Sequence, residues 1–343
     1  MTLLAAPLAA VMVAQGLLGL RRPDQYRDVE WIAATWWGND WVTCFLAVPL
    51  LAGAHVIAQR GSTRATLLYS GVLSYAIYNY TFYLFGAALN VFFPLYAAAL
   101  LLAALNLIAS LSIVDARRVS SRFGRRTPVR VIGGFFLLVG ASLAGVWIAM
   151  WGAYVFAGRP TPIEPEAFKL VAATDLVMMV PALTFGGALL WRREPWGYVI
   201  SAIAGVQASL YLTVLTINSV AFLVEGRGTW PGELLVWGTL AVLSSAMTLV
   251  LFLNIGSSPE VSHGASGSVR VVLYLGGGDG ERHAASSGAA AIAWRLSRPG
   301  GELSHLICSC SLHRDERDHL DAAVDRRRGL DDRRDVAWPD ARV

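Results

Sequence analysis

The sequence predicts an all-α fold, a polytopic transmembrane helical bundle of about eight spans with a largely disordered C-terminal tail. Three observations predict it. Apolar residues make up 55% of the chain and mean hydropathy is +0.51, above the ~45–50% apolar share of soluble domains. These residues fall in long blocks instead of short amphipathic periods, and a helix needs about 20 of them to cross the hydrocarbon core. The blocks stop near Gly256, where composition changes abruptly.

The spans are expected at 3–20, 41–59, 65–86, 91–113, 131–157, 167–191, 197–224 and 233–255. Each must be helical, because backbone groups in lipid have to pair within their own segment. The first could be drawn as a signal peptide, but it lacks a basic leading region and reads better as a span. The second opens on Asn39 and Asp40 and contains Pro49 and His55, a lone histidine read as interfacial. The third is rich in tyrosine, with Tyr69, Tyr75, Tyr78, Tyr80 and Tyr83 around Asn79. Asn90 opens the fourth, which carries Pro94. In the fifth and sixth, Gly133–Gly134 and Gly186–Gly187 permit close helix packing. The sixth also holds Asp175 and Pro181, and the seventh holds Gln207, Tyr211 and Asn218. The three prolines remove backbone donors and are expected to kink their spans. No internal repeat is evident.

Charge orients the bundle. Ten basic residues (Arg60, Arg64, Arg117, Arg118, Arg122, Arg125, Arg126, Arg130, Arg192 and Arg193) fall in loops on one side. The opposite loops carry six, diluted by acids, so both termini are expected in the cytoplasm of a cell membrane protein. Trp31, Trp36, Trp37 and Trp41 read as an interfacial belt beside a short surface helix over 25–37.

Asp175 is the residue that most invites a functional reading. An acid at membrane depth is costly unless held, and marks a functional site by default. In the expected orientation Asp175, Asn79, Tyr83, Tyr75, Asn90, Asp40, Asn218 and Gln207 all converge on the outer leaflet, lining an outward-facing polar pocket. Tyr75, Asn79 and Tyr83 share one helix face at i, i+4, i+8, while Tyr78 and Tyr80 point elsewhere and read as packing. Asn39 and Asp40 could equally serve as an N-cap. No span carries a cation for Asp175; Lys169 and Arg159 lie nearest.

Other chemistries find little support. Net charge of +4 is dispersed over loops and tail, so nucleic acid is not implied. Cys44, Cys308 and Cys310 suggest no disulfide framework. The tail over 256–343 has 12 Arg and 13 acids and few large apolar residues, so it cannot bury a core. Its Gly276-x-Gly278 segment fails the dinucleotide fingerprint at Glu281, and Cys308, Cys310, His313 and His319 match no metal-site spacing. A shifted reading frame or a lineage-specific extension would explain such a tail. No cofactor or metal is expected.

The stretches YRDVEW, WGNDWVT, YAIYNYTFYLFGAALNVFFPLY and DLVMMVPALTFGGALLWRREPWGYV resemble a family of uncharacterised bacterial multi-pass integral membrane proteins. The resemblance covers roughly residues 20–220, implies a membrane protein, and carries no assigned activity. The domain reading is thus a transmembrane domain over 1–255 and a polar tail over 256–343. The functional expectation is binding or transport of a small polar solute or ion. The alternatives are a non-catalytic membrane subunit or scaffold, then a membrane enzyme at the outer leaflet, which lacks a nucleophile or metal cluster in the spans. The lipid bilayer is the one expected partner, and no protein partner is named.

Overall fold

The computed structural model describes residues 4–224, 232–256, 292–295 and 305–308. The chain forms two compact units, Met1–Pro259 and Glu260–Val343. In the second, the described residues are two strands, β1 (Ile292–Arg295) and β2 (His305–Cys308), paired antiparallel with Ile292 opposite Cys308. The expected tail disorder, the Gly276–Gly278 loop and Cys310, His313 and His319 fall outside the described residues.

The first unit is helical throughout its described elements. Six helices are long and apolar enough to cross a membrane: Ile32–Ala58, Phe93–Leu111, Val129–Ala157, Pro165–Trp191, Pro195–Val224 and Gly232–Leu253. Two others accompany them. Helix α1 (Ala5–Arg21) is apolar but has 17 residues, and α4 (Thr63–Gly86) has 24 but is studded with Tyr, Ser and Thr.

Two of the six are interrupted. Helix α2 (Glu30–Val42) runs through a π-helical turn, Thr43–Ala47, into α3 (Val48–Ala58). Helix α8 (Pro165–Thr174) runs through a second π turn, Asp175–Met179, into α9 (Val180–Trp191). Pro49 and Pro181 follow these turns after a single valine, Val48 or Val180, and their missing N–H groups account for the local widening. The other elements are α5 (Phe93–Leu111), the short α6 (Ala116–Ser121), α7 (Val129–Ala157), α10 (Pro195–Val224) and α11 (Gly232–Leu253).

The helix that carries the expected second span begins well before residue 41: residues 30–42 are continuous with it instead of forming a separate surface helix, and Ile32–Ala58 is long and apolar enough to cross a membrane. Asn39 and Asp40 hide this continuity in an apolarity profile, yet inside the fold their side chains are hydrogen-bonded. Trp36 likewise is 4% exposed and packs in the core, whereas Trp37 and Trp41 face outward as belt residues do.

Helices α4 and α10 pack against one another at the centre. Half of α10's most apolar window is buried, against 22% for α7 and α11. The periphery presents Leu138, Phe156, Val177, Phe185 and Leu235, each more than 60% exposed, as a lipid-facing surface. Gly133 and Gly187 let α7 and α9 touch backbone to backbone; a Cβ on either would sit 2.7 Å from the other's carbonyl oxygen.

The arginine-bearing end is held by caps. Ser62 accepts from Ala65 N at 3.4 Å, and Asp115 accepts from Arg117 N and Arg118 N at 2.9 and 3.1 Å. The Arg64 guanidinium, at the start of α4, donates through Nε to Ile255 O at 2.9 Å, just past the end of α11. A cation there satisfies an orphan carbonyl and opposes the negative end of the helix dipole. Arg64→Ala is expected to cost about 1 kcal/mol of stability, read as a lowered unfolding midpoint in detergent, with Arg64→Lys recovering part of it.

Candidate functional site: two buried carboxylates

Asp40 lies in the last turn of α2 and is fully buried. Its Oδ1 accepts from Gln15 Nε2 and from the Tyr83 hydroxyl, both at 2.8 Å, and its Oδ2 accepts from the Tyr26 hydroxyl at 2.6 Å. Gln15 in turn accepts from the Tyr80 hydroxyl at 3.0 Å. Four neutral donors from α1, the following loop and α4 thus form one connected network. Trp36 stacks on Tyr83 with ring centres 4.6 Å apart, and Tyr96 covers Tyr83's surroundings at 4.9 Å. Asp28 pins the roof: it accepts from Trp36 Nε1 at 2.9 Å and from Ala88 N at 2.8 Å. Outside the spans, Asp24 is held below the usual carboxylate range by hydrogen bonds from Gln25 and Arg22.

Asp175 is the first residue of the second π turn and is 3% exposed. Its Oδ1 accepts a short hydrogen bond from the Tyr78 hydroxyl, and its Oδ2 accepts from Trp147 Nε1 on α7 at 2.9 Å. Tyr78 meets Tyr211 edge to face at 4.7 Å. Among the described residues the ion pairs are Arg22–Asp24 and Lys169–Glu166, both at the surface. Neither buried acid is met by a cation; both are satisfied by hydroxyl, amide and indole donors alone. Such a carboxyl can gain or lose a proton without breaking an ion pair, which is the chemistry this arrangement offers.

The residues singled out in the sequence are all buried, but they divide into groups. Asp40 and Tyr83 touch. Asn79 donates to Thr43 Oγ1 at 3.3 Å. Gln207 accepts from Ser74 at 2.5 Å. Asn90 turns its Oδ1 to Phe92 N at 2.9 Å, organising the start of α5. Asn218 sits over Gly38 on α2. Asp175 has its hydrogen bonds with Tyr78 and Trp147, not with the amides, and Asp40 lies within a helix instead of capping one. Two surface concavities, one along α11 from Leu234 to Leu243 and one beside Tyr154 and Pro160–Pro165, include neither acid.

Sequence reasoning passed over Gln15, Tyr26, Tyr78, Tyr80 and Trp147. Gln15 carried a usable signal, since it is the one amide within an otherwise apolar first span. Trp147 carried none, because an indole in a span reads as packing. Comparison with protein-family models, with curated proteins and with solved structures finds no match.

Gly19 on α1 leaves room for the Asp40 group: a methyl there would overlap Asp40 Oδ2 and the Tyr26 hydroxyl. Gly19→Ala is expected to destabilise the protein by about 1–3 kcal/mol through overpacking. Gly53→Ala, where nothing lies within 4 Å, should be neutral or slightly stabilising. Unfolding midpoints of the two variants check the contrast.

Proposed function

We propose that this is a cell-membrane protein of eight spans, the six apolar helices plus α1 and α4, with both termini in the cytoplasm and the polar tail beyond 256 outside the membrane domain. We propose further that it binds or transports a small polar solute or ion, with Asp175 as its protonatable residue. Tyr75, Asn79, Tyr83, Asn90, Asp40, Gln207 and Asn218 supply the polar lining. The single observation that carries this reading is the Asp175 carboxyl, buried without a cation at the broken point of a long apolar helix. Structural amides stabilise membrane helices by ~1 kcal/mol or less each. A carboxyl in the same place adds a desolvation cost that helix association alone does not require. π turns also concentrate at functional sites.

A second reading is favoured by one feature. The oxygens of both acids are filled by donors in tightly packed surroundings, which suits a scaffold or non-catalytic subunit. The two readings separate in vesicles. Reconstituted wild-type protein with an entrapped pH dye should pass protons, or take up a solute with them, faster than empty vesicles. Asp175→Asn should fall to the empty-vesicle rate while eluting as a folded species. Wild-type rates in that variant would leave the scaffold. Mass spectrometry of small molecules carried through purification would name the solute class.

Orientation has its own test. Pro162→Cys, in the loop between α7 and α8, should react with a membrane-impermeant maleimide on intact cells. Arg125→Cys, in the arginine-rich loop, should react only after permeabilisation. The reverse pattern would overturn the assignment.

A further inference from the structure

The helices fall into two sets of four with similar internal packing. In the first, α1 packs on α2, α3 and α5, α3 on α4, and α4 on α5. In the second, α7 packs on α9 and α11, α9 on α10, and α10 on α11. Helix α6 is the link between them.

Through the broken helices and the helices that follow them, the correspondence holds at one spacing, 132 residues (175 minus 43); the last helices of the two sets, α5 and α11, are offset from it. The π turns begin at Thr43 and Asp175 and lead into Val48–Pro49 and Val180–Pro181. Just past the end of each broken helix stands an arginine, Arg60 or Arg192, followed by a left-handed residue, Gly61 (φ 84) or Arg193 (φ 60). The N–H groups of that pair bond to Ala58 O at 3.0 Å and to Leu190 O at 2.9 Å. The next helices begin at Thr63 and Pro195. Gln15 on α1, which donates to the acid of its broken helix, corresponds to Trp147 on α7, which donates to the acid of the other. Every one of these pairs shows the same spacing.

The two sets also meet reciprocally. Helix α2 crosses α10, where Gly38 lies beneath Asn218; α8 crosses α4, where Gly86 lies beneath Leu170. Gly38 corresponds to Leu170 and Gly86 to Asn218. Residue i of one unit touches j of the other and j touches i, which is the signature of a two-fold, isologous interface. Near its centre Gly71 faces Val206 and Ser74 bonds to Gln207. At equivalent positions on this seam Tyr75 and Gln207 are both buried; the Tyr75 hydroxyl faces Thr43, while Gln207 Nε2 has no hydrogen-bond partner.

We propose that the chain is a tandem pair of four-helix units that rock as rigid bodies across the α4–α10 seam. The motion pivots at the Gly71–Val206 contact and exposes Tyr75 and Gln207 to a small hydrogen-bonding solute. Parallel repeats about an axis along the membrane normal, moving against each other around a central site, are an established design for membrane transport. A buried seam with an unmatched amide donor is what such a site looks like when closed. The rocking stands on the packing alone; its link to a solute rests on the function proposed above.

The test uses spin labels in the full chain with Cys44, Cys308 and Cys310 replaced. One label pair spans the arginine ends, Arg60→Cys with Arg192→Cys. The other spans the opposite ends of the central helices, Phe85→Cys with Val220→Cys, both positions exposed. Pulsed distance measurements in lipid should give two populations in each pair. Adding the wedge Gly86→Leu should lengthen the second distance and shorten the first. A single narrow distance in both pairs, or a wedge whose effect is confined to the nearer pair, overturns the proposal. Should Gly86→Leu fail to fold, Gly38→Leu wedges the reciprocal contact, and the populations without a wedge already decide. Two populations without proton or solute flux leave the rocking and remove the transport reading; flux with one population does the opposite.

Discussion

A bilayer offers a carboxylate neither water nor a counter-ion, and among its described residues this protein buries two, Asp40 and Asp175. Everything around them follows from having to supply donors from the protein alone. The tyrosines of α4 are the main source: Tyr83 serves Asp40, Tyr78 serves Asp175, and Tyr80 steadies Gln15. They leave α4 in different directions, which a helix permits only if it is surrounded by protein. The polarity that keeps α4 out of the apolar set is therefore the reason it occupies the centre.

A π turn inserts an extra residue and loosens the regular ladder of backbone hydrogen bonds. In both broken helices the turn ends against a Val-Pro step, so the proline's missing donor and the widened turn are one defect. Asp175 starts its turn, and Thr43, which starts the other, takes the hydrogen bond from Asn79. Polar side chains thus gather where the backbone itself is least regular and least costly to deform.

The broad architecture was legible because block length and hydropathy report directly on solvent. Its finer joins were not. Asp40 hid the continuity of its own helix, since a hydropathy profile counts an acid as exposed whatever holds it. The polar groups were read as one cluster because depth can be estimated along each helix while azimuth cannot. Tyr78 was set aside for pointing away from Asn79, and it points away because it faces the other unit's acid. The repeat stayed hidden for a different reason. Val48, Pro49 and Arg60 recur as Val180, Pro181 and Arg192, but most paired positions only share burial, as Leu67 and Val199 do at 0%. Apolar residues of similar size exchange freely in a packed interior, so the pattern survives in packing after it has faded from sequence.

The two acids are not equivalent, and the seam explains how. Gln15, Tyr26 and Tyr83, the donors to Asp40, all belong to the same four-helix unit or its own loop. Rocking the units would leave that network whole, so Asp40 acts within a unit, holding α1, α2 and α4 together. Asp175 takes one bond from Trp147 in its own unit and the other from Tyr78 across the seam. Separation of the units must break that second bond and leave an oxygen of Asp175 in need of a new donor. Water, a solute or a proton would each supply one. Of the two carboxyls, Asp175 is thus the one whose hydrogen bonding depends on the closure of the seam, which is why the proposed proton coupling is placed there and not at Asp40.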